Sequence, residues 1–383
     1  MSMGPLQGIK IVEFAGLGPA PFAGMMLSDL GAEVVRIDRA TTPNAAQAQL
    51  FAPDRDIANR GRRTIQLDLK TPDGVAAALR LIERADALIE GFRPGVMERL
   101  GLGPEVCLAR NRRLIYGRMT GWGQTGPLAP TAGHDINYLA LSGVLHAIGR
   151  ADGGPPPPLN AIADHGGGGM LLVVGLLAAL LESRNSGEGQ VVDAAMLDGS
   201  ALLLVSVLTL KAMGCWTDRR ERNMLDGGAH FYDTYQCADG KWLAVGALEP
   251  HFYRILLEGC GVTDPAPEQQ WRPESWPALK ERLRAAFRTR RRDEWCALFE
   301  GSDACVAPVL GLDEAPAHPH NQARQTFVEC AGLMQPAPAP RFSRTPAAIQ
   351  GPPDRQADPS GDWLANWGFS EAEIARFASA GAI

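Results

Sequence analysis

An α/β fold, with a parallel sheet in a large domain followed by a smaller α+β domain, is predicted by three observations in the 383-residue sequence. Short apolar runs alternate with helix-patterned segments through the first half, as βαβ units do. An Asp-Gly pair then joins two strand-like runs within "FYDTYQCADGKWLAVGAL" (231–248), the signal of a hairpin. Helical segments follow that hairpin, so the second half does not continue the alternation. A chain of this length exceeds what one core supports, which makes a division into domains the expectation.

Taken in order, "IKIVEF" (9–14), "AEVVRID" (32–38), "TIQLDL" (64–69), "DALIEG" (86–91) and "RLIYGRMTG" (113–121) read as strands. "PFAGMMLSDLG" (21–31) and "DGVAAALRLIERA" (73–85) read as the helices between them. The apolar helical segment 170–183, the strand-like "QVVDAAM" (190–196) and the segment 199–213 continue the same layer, and the pattern breaks around 215–232. After the hairpin, helices are expected at 249–259, 277–289 and 292–300. Pro-rich stretches at 335–340 and 352–359 read as surface connections, and 370–378 as an acidic helical tail. The resulting division is a large domain over 1–200, a linker helix region over 201–228, a small α+β domain over 229–315 and a return segment over 316–383.

Composition narrows the partners. With 45% hydrophobic and 21% charged residues the chain reads as an ordinary globular protein, and a net charge of −6 gives no footprint for nucleic acid or an anionic membrane. The longest charge-free apolar stretches, 170–181 and 201–210, fall short of the roughly 20 residues a membrane span needs. Seven cysteines, odd in number and never spaced CxxC, indicate neither a disulfide framework nor a zinc ribbon, so no metal site is expected. Without a leader-like N-terminus the expected location is cytoplasmic.

Two polar stretches stand directly before apolar helical runs. "GHDINY" carries His134, Asp135, Asn137 and Tyr138, and "ADHGGGGM" carries Asp164 and His165 ahead of four glycines. Two such entrances suggest one site, with amides of the glycine run open to a developing oxyanion. Basic residues recur where loops leave strands: Arg39, the "NRGRR" cluster with Arg60, Arg62 and Arg63, Lys70, Arg93 and Arg99. Ligands of open parallel sheets sit beyond the strands' carboxyl ends, so these side chains suit a polyphosphorylated ligand. A dinucleotide is the less favoured ligand. "VEFAGLGPAPFAG" (12–24) has Gly16 and Gly18, but Pro21 stands where the fingerprint needs its third glycine.

"GPLQGIKIVEFAG", "LSDLGAEVVRIDR", "NRGRRTIQLDLK", "LIEGFRPGVMERLGLG", "GRMTGWGQTGP", "GHDINY", "DHGGGGM", "GQVVDAAMLDGS" and "APRFSRTPA" together resemble the family III CoA-transferase superfamily, from residue 4 to about 347. The resemblance implies a large Rossmann-like domain, a small domain and an interlocked homodimer. It also implies an acyl-CoA thioester as substrate and no separate cofactor, since coenzyme A is part of the substrate. Two chemistries occur in the superfamily. In its transferases the aspartate matching Asp164 attacks the thioester. In its racemases that aspartate works with a histidine matching His134, to which a glutamate matching Glu249 is hydrogen-bonded, and α-proton removal and return invert a 2-methylacyl-CoA. All three residues are present, which favours the racemase branch. A transferase with Asp164 as nucleophile and an inactive CoA-binding dimeric scaffold are the alternatives.

The same resemblance implies a coenzyme A site of Arg39, Lys70, Gly91, Phe92, Arg93, Arg99, Asp135 and Tyr138. Met119, Met196 and Met224 match an adaptable acyl-binding surface. His165 departs from the family pattern, in which an aromatic residue follows the aspartate.

Overall fold

The computed structural model describes residues 4–39, 53–262, 267–353 and 362–379. They group into two compact units, one of 1–142, 158–203 and 324–383, the other of 143–157 and 204–323.

The first unit is built on six strands: β1 (Lys10–Phe14), β2 (Glu33–Arg39), β3 (Arg63–Leu67), β4 (Ala87–Glu90), β5 (Ile115–Thr120) and β6 (Gln190–Ala195). They run parallel in the order β3-β2-β1-β4-β5-β6, that of a doubly wound sheet whose order reverses between β1 and β4. Strands covered on both faces read as near-continuous apolar runs, and β4 is buried at all four positions, its last residue being the charged Glu90. The helices between strands begin with residues suited to starting helices. α1 (Pro19–Asp29) has Pro at positions that need no N–H partner, and α2 (Pro72–Ile82) is capped by Thr71, whose hydroxyl accepts from the Gly74 amide at 3.1 Å. Val12, Phe14, Val35, Leu81, Leu88 and Trp367 share one core cluster, each such burial contributing about 1.5–3 kcal/mol.

Beyond β5, α3 (Asp135–Ser142) is followed by a π-helical run, Ala161–Met170, that continues without a break into α4 (Leu171–Ser186). The joined helix of 26 residues is long and apolar enough to cross a membrane by length and composition, which the quoted stretch 170–181 is not. It packs on β5, β6 and α1, with 44% of its most apolar window buried. β6 leads directly into α5 (Met196–Leu203), which lies against the π-helical run. The contact is backbone to backbone, since a Cβ at Gly199 would stand 1.8 Å from the Gly167 oxygen.

The second unit holds the hairpin of β7 (Tyr232–Gln236) and β8 (Trp242–Gly246), turned at Asp239 and Gly240, the latter at φ +77°. A short β9 (Val306–Pro308) extends it. α6 (Pro250–Cys260), α7 (Trp276–Phe287) and α8 (Arg292–Phe299) pack Leu256, Leu283 and Trp295 into a core with Phe231, Tyr235 and Leu243.

Three features depart from the sequence expectation. Residues 143–157 group with the second unit, and the single helical segment expected at 199–213 is two helices, Met196–Leu203 in the first unit and Val205–Ala212 in the second. The Pro-rich stretch at 335–340 begins inside a hairpin of β10 (Phe327–Cys330) and β11 (Leu333–Pro336), with Gln335 buried. Most of the stretch 352–359 lies outside the described residues, whereas the tail helix is present as Glu371–Ser379.

Candidate active site

"GHDINY" and "ADHG" come together in the first unit. The Ala163 and Asp164 amides, in the opening turn of the π-helical run, both donate to Asp135 Oδ2 at 2.8 Å. Asp135 is the first residue of α3, so one carboxylate oxygen ties the start of one helix to the start of the other. His134, exposed, stands just before α3; its amide donates to Asn137 Oδ1 at 3.0 Å, and its carbonyl accepts from Asn137.

Asp164 is half-buried, and its carboxyl is held above its ordinary proton affinity. Burial is the largest cause and the charge of Asp135 the second, while His165, a hydrogen bond from Asn160 and His134 pull the other way. Room for the carboxylate comes from Gly18 at the start of α1, where a Cβ would stand 3.1 Å from Asp164 Oδ2 and where φ is +69°. Tyr138 is buried, with its ring edge-on to Trp122 at 4.7 Å. Burial and then Asp164 push its hydroxyl up to about 12, against the pull of Arg93, so it stays protonated. His165 stacks on Phe22, ring centroids 4.5 Å apart.

The glycine run serves a different purpose from the one its sequence suggests. The helix opens at Ala161, before Asp164, so Gly166–Gly169 lie inside it. There the π-helical ladder engages amides with carbonyls five residues back, and they are not open donors. The glycines instead permit contact: Cβ atoms at Gly167, Gly168 and Gly169 would fall within 3.0 Å of α5 or α1.

The basic residues divide into two groups. Arg93 and Arg99 are exposed just beyond β4, and Lys70 is exposed after β3, its amide donating to Asp68 Oδ1 at 3.0 Å. Arg39 ends β2, and its side chain lies outside the described residues. Gly91 is exposed and Phe92 half-buried, edge-on to Phe14 at 6.3 Å. The Phe92 amide donates to Glu90 Oε2 at 2.8 Å, and Glu90 pairs with Arg118 at 2.9 Å while burial pushes its carboxyl up to about 7. Arg60 and Arg62 depart from the expectation that they face a ligand. Arg60 is paired with Asp29 at 2.5 Å and Arg62 with Glu13 at 3.0 Å, all within the protein interior. A loop position does not reveal a carboxylate 31 or 49 residues away.

Met119 and Met196 are buried, Met196 against Gly168, and Met224 is half-buried at the edge of the second unit's core. Glu249 lies in the second unit as the exposed residue preceding Pro250 of α6, and its side chain does not cap that helix. A cavity of about 620 Å³ in the same unit is lined by Arg150, Leu225, Asp233 and Val245 among others, and none of the candidate residues is on its wall. Among the described residues no cluster of three or more His, Cys, Asp or Glu is grouped to hold a metal ion. Sequence reasoning missed Gly18 and Phe22 as neighbours of Asp164 and His165; the signal available was "GLGPAPF", a glycine before a proline-rich helix start beyond a strand end.

The model of CoA-transferase family III matches residues 6–359. The chain belongs to CoA-transferase family III. Within it, the chain is 46% identical to "Alpha-methylacyl-CoA racemase" of the mouse, Mus musculus, over 96% of its own length and 95% of the relative's. It is 44% identical to the human protein of the same name over the same shares. A solved CAIB/BAIF family protein from Brucella suis has the same fold, with a TM-score of 0.80 and 26% identity over 95% of this chain and 100% of that one. The stretch of this family III member that the family model matches, 6–359, spans the positions of His134, Asp164 and Glu249.

Proposed function

We propose that this family III protein is an α-methylacyl-CoA racemase, which interconverts (2R)- and (2S)-2-methylacyl-CoA thioesters through an enolate. The observation that carries the reading is the pair of proton carriers, His134 and Asp164, at two helix starts that Asp135 ties together. Inverting a carbon next to a thioester carbonyl needs a base on one face and an acid on the other, and each such group contributes about 10²- to 10⁴-fold. Asp164 is suited to carry a proton because burial and Asp135 raise its proton affinity. Enolate charge would be met by amides still open at a helix start, such as those of Asp135 and Ile136 in α3, because Asn137 donates to the His134 carbonyl, Ala163 and Asp164 donate to Asp135, and the glycine amides lie inside their helix.

The chain needs no separate cofactor in this reading, since coenzyme A enters with the substrate. Lys70, Arg93 and Arg99 would be the exposed cations for its phosphates, joined by Arg39 at the end of β2, and the influence of Arg93 on the Tyr138 hydroxyl supports including Tyr138. Glu249 is the carboxylate that the family resemblance links to the histidine, and in that role it would favour the imidazolium formed after abstraction. Met119, Met196 and Met224 would shape the acyl surface. We assign the first unit as Rossmann-like on its strand order. A homodimer would cover the exposed Val174, Leu181, Leu202 and Leu203 of that unit and Val205, Leu208 and Met213 of the other.

The transferase chemistry of the same family differs at one bond, since it forms an acyl anhydride on the aspartate. Incubation with acyl-CoA and hydroxylamine is expected to leave the peptide containing Asp164 unmodified by mass spectrometry. A hydroxamate on Asp164 would overturn the racemase reading.

A further inference from the structure

We propose that Asp135 is the positioning residue of Asp164: its carboxylate clamps the backbone that carries Asp164 to the turn that carries His134, and sets a second carboxylate beside the Asp164 carboxyl. This role differs from the coenzyme A contact expected of Asp135, and it rests on the racemase reading of the site.

Three observations support the assignment. The Ala163 and Asp164 amides lie in the first turn of a π-helical run, where no carbonyl five residues back is available within the helix, and Asp135 Oδ2 satisfies both. The carboxylate doing this is itself buried, so it does not wave in solvent. Its other oxygen, Oδ1, is buried without a hydrogen-bond partner. The group thus lies in a medium that screens charge poorly, next to a second carboxyl.

The groups facing Asp164 can be named. Asp135, His134 and Tyr138 approach from α3 and the turn before it, and Asn160 and His165 belong to its own segment. α1 brings an uncharged first turn with Gly18 in contact, and Asp198 of α5 is exposed. The two histidines and Asn160 favour the carboxylate, and Asp135 is the one charged side chain that favours the acid. The chemical use is direct. An aspartate that must hand its proton to the α-carbon of an enolate works better when that proton is held beyond the usual carboxylate range.

Asp135→Asn separates the two roles, because the amide oxygen can still accept from both backbone N–H groups while the charge is gone. The Asp164 carboxyl is followed by carbon-13 NMR titration in both proteins, a readout that does not need catalysis. The Asp164 midpoint is expected to fall by about one pH unit in the variant, the size an adjacent like charge produces. The acid limb of α-proton exchange for the enantiomer that Asp164 deprotonates should fall with it, with KM for the ester changed less than about twofold. An unmoved midpoint overturns the proposal, as does a raised KM with the limb in place, which is what a coenzyme A contact would give. Should the variant fail to fold, the wild-type Ala163 and Asp164 amides decide: slow hydrogen exchange at this helix start supports the clamp, and exchange at open-chain rates overturns it. Failure of the racemase reading would be seen separately, as wild-type protein that exchanges no α-proton.

Discussion

His134→Gln and Asp164→Asn are each expected to slow complete racemisation of a 2-methylacyl-CoA at least 100-fold, a loss of about 3–5 kcal/mol of transition-state stabilisation. The size follows from the two-sided chemistry. Racemisation needs both proton carriers in sequence, so losing either stops the full cycle. Exchange of the α-proton needs only one. His134→Gln should therefore lose deuterium uptake from D₂O with one enantiomer and keep it with the other, and Asp164→Asn should show the mirror image. The two side chains sit on separate helix starts held by Asp135, which makes such a division of labour sterically reasonable. NMR of each enantiomer separately checks it. A variant that abolishes exchange from both enantiomers, with ester binding intact, would show that one residue serves both faces.

Glu13→Ala is expected to destabilise the fold by about 3–5 kcal/mol, the cost of leaving a buried guanidinium without its partner. Both side chains of the Glu13–Arg62 pair are 0% exposed. Arg62 meets Glu13 through Nε at 3.0 Å and Nη2 at 3.4 Å, and donates from Nη2 to the Pro21 carbonyl at 2.6 Å. Those bonds join β1, the end of α1's first turn and the approach to β3, so their loss acts on the sheet that positions the site. The absent side chain of Gly24 makes the pair possible, since a Cβ there would stand 2.2 Å from Glu13 Oε2. Urea denaturation of Glu13→Ala and of Glu13→Leu/Arg62→Met should show that the double variant, which buries no lone charge, recovers most of the loss. A shift below about 1 kcal/mol for Glu13→Ala would contradict the account.

The strands were legible because sheet burial on both faces leaves near-continuous apolar runs, and β1, β2, β4 and β5 coincide with such runs to within a few residues, whereas the edge strand β6, mostly exposed, was legible from its sequence pattern alone. β9 was not, because three residues cannot display a period. The hairpin announced itself through Asp239 and Gly240, a local signal. Long-range pairing left no such trace: Arg60 and Arg62 look in sequence like the other arginines near strands, and only the fold supplies Asp29 and Glu13. At the site, His134 and Asp164 were legible as polar residues ahead of apolar helices. The reading of the glycines failed for a physical reason. Four glycines after "ADH" look like the opening of a helix, but Ala161–Asp164 already belong to it, and the glycines are needed for contact with α1 and α5. Asp135's bridge could not be read either, since its partners are amides, which every residue has.

The central claim is tested most directly by one measurement on the wild-type protein: incubation of a single enantiomer of a 2-methylacyl-CoA in D₂O, with no carboxylic acid present, followed by NMR and chiral analysis. The account expects deuterium at the α-carbon together with loss of optical purity. Retained optical purity without deuterium, with acyl-group change only once a second acid is added, would contradict it and assign the chain to the transferase chemistry of its family.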